Sequence, residues 1–142
     1  MEIYTVSPIR LLLVDDNLAV LEALAELLQP AYIVAGTASD GSSVLERATI
    51  LQPDLIILDI SLGDITGFEV AKRLKNAGIP AKLIFLTVHE NVDFVRAAFD
   101  LGAYGYVFKS RISPDLIEAI NTATAGGRFN SAGSLASNGS GR

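Results

Sequence analysis

The stretch Leu11 to Asn17, LLLVDDN, runs four apolar residues straight into two adjacent carboxylates, Asp15 and Asp16. Two such charges about 4 Å apart repel by roughly 4 kcal/mol at an effective dielectric of ~20. A cation held between them would offset that repulsion. Asp59 follows a second apolar run, Leu55 to Leu58, Thr87 closes a third, and Lys109 follows a fourth, Tyr104 to Phe108. A hard divalent ion such as Mg²⁺, or Mn²⁺, takes oxygen ligands, commonly one or two carboxylates beside waters and phosphate oxygens. The chain has no cysteine and one histidine, His89, which disfavours zinc. A metal, a carboxylate nucleophile, a lysine able to pair with an anion and a hydroxyl donor together suit phosphoryl transfer to an aspartate.

Each residue also has a plainer role. Asp16 or Asn17 can cap a helix. Asp59 can be a turn residue. Thr87 can be ordinary strand, Lys109 a solvated surface charge, His89 an exposed loop residue and Tyr106 partly buried packing. Five polar groups gathered at strand ends on one edge of one sheet outweigh those separate roles.

The elements that would gather them follow from periodicity. Ile9–Val14, Tyr32–Thr37, Leu55–Leu58, Leu83–Thr87 and Tyr104–Phe108 read as strands. Between them lie helix-period segments, among them Leu18, Leu21, Leu24 and Leu28, then Val44 to Leu51, then Phe68, Ala71 and Leu74, then Val92, Val95 and Phe99. A last helix is expected to start near Ser113-Pro114-Asp115, with a serine cap and proline at the first helical position, and to run to about Ala125. Strict β–α alternation predicts an α/β fold, an open doubly wound parallel sheet with helices on both faces. Ligands of such sheets bind at the carboxyl ends of the strands, where these polar residues fall. Residues 8–127 are expected to form this domain. Residues 128–142, ending in the Gly/Ser-rich SAGSLASNGSGR, are expected to be a flexible tail or interdomain linker.

Composition narrows the classes. The 142 residues suit one domain, and half of them are hydrophobic. No apolar run approaches a membrane span, and the first ten residues lack a signal-peptide pattern, which fits a cytoplasmic location. A net charge of −5 and a pI near 4.7 argue against direct nucleic-acid binding by this domain.

Four motifs, LLLVDDN, PDLIILDISLGDITG, LTVHE and GAYGYVFKS, are together similar to the receiver domains of two-component response regulators. They come in the family's order and spacing, and the resemblance covers roughly Arg10 to Phe129. It implies a flavodoxin-like five-stranded parallel sheet of order 2-1-3-4-5. It further implies Asp59 as phosphoacceptor and Mg²⁺ bound by Asp16, Asp59 and the Ser61 carbonyl, with Asp15 acting mainly through a metal-bound water. Lys109 would contact the phosphoryl group, and Thr87 with Tyr106 would form the switch. The implied activity is phosphoryl acceptance from a sensor histidine kinase, with slow self-dephosphorylation rather than metabolic catalysis. The implied partner surface is the fourth helix, fifth strand and fifth helix, for a homodimer or an effector. GYVFKSRISPDLIEAI followed by GGRF is most similar to receivers that precede a LuxR-type helix-turn-helix, which implies control of transcription by a DNA-binding domain outside this chain; the alternative is a stand-alone receiver acting through protein contacts.

The chain departs from the family pattern at Leu62-Gly63, where Met-Pro or Leu-Pro is usual and glycine is expected to loosen the loop. It departs also at Val88, bulkier than the usual residue, and at Ser110, where many receivers have proline. A Mg²⁺-dependent phosphatase of the haloacid-dehalogenase type would carry Asp-x-Asp after its first strand, whereas here the pair is adjacent. A flavodoxin-type carrier would not place two carboxylates where the flavin phosphate binds. A degenerate receiver would lack some of these acidic positions.

Overall fold

Leu12 and Val14 face one side of the first strand and Leu11 and Leu13 the other, and all four are nearly inaccessible to solvent. A strand buried on both faces requires a layer of structure on each. The computed structural model describes residues 8–133 and supplies those layers. Its elements are β1 (Arg10–Val14), α1 (Leu18–Leu28), β2 (Ile33–Ala38), α2 (Val44–Leu51), β3 (Leu55–Leu58), α3 (Gly67–Asn76), β4 (Lys82–Thr87), α4 (Val92–Asp100), β5 (Gly105–Phe108), α5 (Ile112–Thr124) and β6 (Phe129–Asn130). All strand pairs are parallel, in the order β2-β1-β3-β4-β5-β6.

One core joins Leu12, Val14, Ile56, Leu58 and Phe85 of the sheet to α2, α3 and α4. The other joins Leu11, Leu13, Ile57, Ile84 and Val107 to α1 and α5. The β3 sequence LIIL divides evenly between them, Ile56 and Leu58 to one side and Leu55 and Ile57 to the other. Each such side chain contributes about 1.5–3 kcal/mol on burial. The flavodoxin-like architecture is therefore as expected from the sequence.

Two details differ. The last helix begins at Ile112, not at a Ser113 cap. A 3-10 turn over Lys109–Arg111 feeds directly into it, and Arg111 makes no side-chain cap. Pro114 then lies in the first helical turn, where its missing N–H has no intrahelical partner to lose. Second, part of the expected tail is sheet. Phe129 and Asn130 pair with Gly105 and Tyr106 as a sixth strand. Phe129 N donates to Tyr104 O at 3.0 Å and Ser131 N to Tyr106 O at 2.9 Å. Arg128 donates to the Ala103 carbonyl and lies 4.5 Å over the Tyr104 ring. The remainder of that expected tail, residues 134–142, lies outside the described residues. Among the described residues no helix is long and apolar enough to cross a membrane.

Candidate functional site

The carboxyl ends of β1, β3 and β5 deliver Asp15, Asp59 and Lys109 to one point. Asp15 and Asp59 are buried, while Asp16 is exposed. Capping does not account for the pair: Asn17 caps α1, its Oδ1 accepting from Ala19 N at 2.9 Å and Val20 N at 3.3 Å. Asp15 is instead held by its neighbours, Oδ1 accepting from Asn17 N at 2.9 Å. Asp59 is fixed the same way, Oδ1 accepting from Ile60 N at 2.7 Å.

The second oxygen of each carboxylate meets one ammonium. Lys109 Nζ lies 2.7 Å from Asp15 Oδ2 and 2.9 Å from Asp59 Oδ2. Burial alone would lower that lysine's pKa, but hydrogen bonds and charge from the two aspartates outweigh it and raise the pKa. Carboxylate oxygens of Asp15, Asp16 and Asp59 all lie within 4.8 Å of one another. Three carboxylates against one ammonium leave a formal charge of −2 in a cluster two-thirds of which is buried. Hard oxygen donors at this spacing, one of them open to solvent, fit a divalent cation such as Mg²⁺.

The loop between β3 and α3 is tightly built. Gly67 N donates to Ile60 O at 2.7 Å, Ser61 bridges Thr66, and a Cβ at Gly67 would fall on the Asp59 carbonyl oxygen. Leu62 is buried. Gly63 has φ +89, a left-handed conformation that proline cannot adopt. The expected loosening at this position is thus not what the glycine provides; it permits a turn.

Thr87 is fully buried at the end of β4, its Oγ1 accepting from His89 N at 3.4 Å. Tyr106 is also fully buried, its ring tilted against Phe85 at 6.3 Å and edge-to-face with Phe108 at 6.0 Å, and its hydroxyl donates to His89 O at 2.7 Å. Burial, with the charges of Asp59 and Glu90, pushes its pKa up. Tyr106 is therefore more enclosed than its sequence context suggested. His89 is half-buried rather than free in a loop: Nε2 is 2.9 Å from Ser61 Oγ, and its ring lies 4.8 Å from Phe94. Val88 points outward and is 64% exposed.

Two groups carried no signal in the sequence. Asp64 accepts from Gly41 N at 2.9 Å and Ser42 N at 3.0 Å. Asp115 is buried, accepts from Arg111 Nε at 2.8 Å and from Ser131 Oγ at 2.7 Å, and Ser131 Oγ accepts from Phe108 N. The Asp64 and Ser131–Asp115 contacts join stretches that no local pattern connects, whereas Arg111–Asp115 is an i,i+4 pair that the sequence does signal.

The family described as response regulator receiver domain matches residues 11–121. Among curated proteins, the nitrate/nitrite response regulator NarL of Escherichia coli K12 is 31% identical over 121 residues, covering 84% of this chain and 56% of that protein. NarP of the same strain is 32% identical, covering 86% of this chain and 58% of that protein. The chain thus spans a little over half the length of these relatives. Among solved structures, a LuxR-family two-component response regulator from Aurantimonas sp. SI85-9A1 superposes with a TM-score of 0.81 at 31% identity, covering 87% of this chain and 89% of that one. The isolated receiver domain of RcsB from Salmonella enterica, solved with the phosphomimetic BeF3⁻, superposes at 0.80 with 25% identity, covering 87% and 94%.

Proposed function

Since the chain belongs to the response regulator receiver domain family, we propose that Asp59 is its phosphoacceptor, charged by a sensor histidine kinase. One observation carries this reading: Asp15, Asp59 and Lys109 meet within hydrogen-bond distance at the carboxyl ends of three strands. An Asp59 oxygen forms the bond to phosphorus while the bond from phosphorus to the donor breaks, and the donor's leaving group keeps the electron pair. Asp16, Asp59 and the Ser61 carbonyl would hold Mg²⁺, or Mn²⁺ as a substitute, with Asp15 acting mainly through a metal-bound water. When bound, the ion neutralises charge on the transferring phosphoryl oxygens.

Lys109 has a second use in this scheme. Its ammonium is already 2.9 Å from Asp59 Oδ2, so it can follow the charge as it moves onto the phosphoryl group. Thr87 supplies a hydroxyl from a dry position behind the site. Thr87 and Tyr106 form the switch, and because Tyr106 is already turned inward and bonded to His89 O, activation acts on that bond rather than on the exposure of the ring. The response leaves through α4, β5 and α5, either to a second copy or to an effector. Slow loss of the phosphoryl group resets the domain, which is a switch rather than a metabolic enzyme. The chain then signals to a DNA-binding domain, in keeping with its similarity to a LuxR-family response regulator, in a cytoplasmic setting.

Acetyl phosphate with Mg²⁺ is expected to add one base-labile phosphoryl group, and Asp59→Asn to abolish it, because an amide cannot attack phosphorus. Intact mass checks both. Equal labelling of the variant would remove Asp59 from this role.

A further inference from the structure

The loop from Ile60 to Thr66 leaves the phosphoacceptor directly, so its conformation sets where Asp59 and the Ser61 carbonyl lie. Gly63 gives this loop a turn that requires φ +89. It also gives the loop the residue with the greatest backbone freedom. The loop's own bonds tie its two ends, and a contact from outside the loop holds the stretch beside Gly63. Asp64, next to Gly63, extends its carboxylate to the loop before α2. Oδ1 accepts from Gly41 N at 2.9 Å and Oδ2 from Ser42 N at 3.0 Å.

The approach is close because residue 41 has no side chain. A Cβ there would lie 2.5 Å from Ile65 Cγ1 and 3.0 Å from Val70 Cγ2. The opposing loop is itself rigid: Asp40 Oδ1 accepts from Ser43 N at 2.9 Å. Asp64 thus joins the β3–α3 loop to the loop before α2 through two charge-assisted hydrogen bonds. Those backbone donors, Gly41 N first and Ile65 N next, hold its carboxyl well below the usual carboxylate range.

We propose, on the basis of the phosphoacceptor reading above, that Asp64 is a positioning residue for phosphoryl transfer: by clamping the β3–α3 loop to the loop before α2, it holds the Ser61 carbonyl and Asp59 in the arrangement that binds Mg²⁺. Asp64 touches neither the metal nor the reacting atoms.

The test uses the full chain with Asp64→Ala and Asp64→Asn. Mg²⁺ is titrated alone while the amide shifts of Asp16, Asp59 and Ser61 are followed. Initial rates of labelling by acetyl phosphate are then measured below and above Mg²⁺ saturation, with thermal unfolding recorded in parallel. Residues that orient metal ligands typically change metal affinity by about 10–100-fold. Asp64→Ala is expected to weaken Mg²⁺ by at least about tenfold and to slow labelling mostly below saturation. Asp64→Asn retains one acceptor oxygen and is expected to recover most of the affinity.

A variant that melts earlier yet binds Mg²⁺ and labels like the wild type would make Asp64 a stability residue and overturn the proposal. If Asp64→Ala does not fold, Asp64→Ser, whose shorter side chain cannot reach both amides, takes its place, and unchanged Mg²⁺ affinity in it overturns the proposal. A wild-type chain that neither binds Mg²⁺ nor labels at Asp59 would defeat the phosphoacceptor reading itself. A silent Asp64→Ala in an active background defeats only the clamp.

Discussion

Two buried aspartate clusters flank the β5–α5 junction, and they are wired differently. At the carboxyl end of β5, Lys109 serves both Asp15 and Asp59, with Asp16 close by. One residue turn later, Arg111 serves Asp115 alone, through Nε at 2.8 Å and Nη2 at 3.3 Å, and Ser131 adds a hydroxyl. The second cluster balances one charge with one charge and saturates the carboxylate with hydrogen bonds. The first is left two negative charges in excess. A balanced buried pair has nothing further to gain from a ligand, whereas an unbalanced one is poised to take a cation and then an anion. The same residue types, on either side of the β5–α5 junction, thus divide into a fastening and a candidate site.

Removing the cation from each cluster should separate them most. Lys109→Met strands two buried carboxylates and is expected to lose about 3 kcal/mol of stability by urea unfolding, together with acetyl phosphate labelling. Arg111→Met, whose side chain is half exposed, is expected to lose far less and to keep labelling. Equal losses would erase the distinction.

Next in size is Asp115→Asn, expected to lose about 2 kcal/mol as charged hydrogen bonds become neutral. The Arg111 hydrogen bond, against the opposing effect of burial, lowers the Asp115 pKa from 3.8. A carboxyl whose folded pKa is depressed contributes stability that is present above its unfolded value and is lost as the pH falls through the folded one. The gap between wild type and Asp115→Asn should therefore be full at neutral pH and close below pH 3.8, which unfolding across an acid series checks.

Mg²⁺ comes third. At a concentration about ten times its dissociation constant, it should stabilise wild type and Asp115→Asn alike by about 1.4 kcal/mol. Asp16→Asn combined with Asp59→Asn should abolish that increment, as read by thermal shift. Smallest is Asp59→Asn without metal, expected to raise stability by less than about 1 kcal/mol because it relieves repulsion from Asp15 while its amide oxygen still accepts from Ile60 N. A loss in place of that gain would mean the first cluster is balanced after all.

What could be read from the sequence follows the range of the interaction. The runs LLLV, LIIL and LIFL declared their strands because burial on both faces leaves continuous apolar residues. Asp15, Asp59 and Lys109 were legible because strand ends in a parallel sheet share one edge. β6 was not, since two residues cannot show alternation and their pairing depends on Ser131 and Arg128 reaching back to β5. The α5 start was misread because Ser113-Pro114 looks like a cap, while the chain enters the helix through a 3-10 turn. Asp64 was silent because its partners lie 22 and 23 residues away.

The short β6 strand alters the reach of whatever is carried further along the chain. With Ser131 bonded to Tyr106 O, Phe108 N and Asp115, a tether begins at residue 131 rather than at the end of α5, Thr124. Seven residues are taken out of the leash, roughly 23 Å of extended chain. For a short connection, that shortening sets the local concentration of a tethered neighbour near the β5 edge. Only loss of the β6 pairing as a whole, its bonds to Tyr104 O and Tyr106 O included, would return that length.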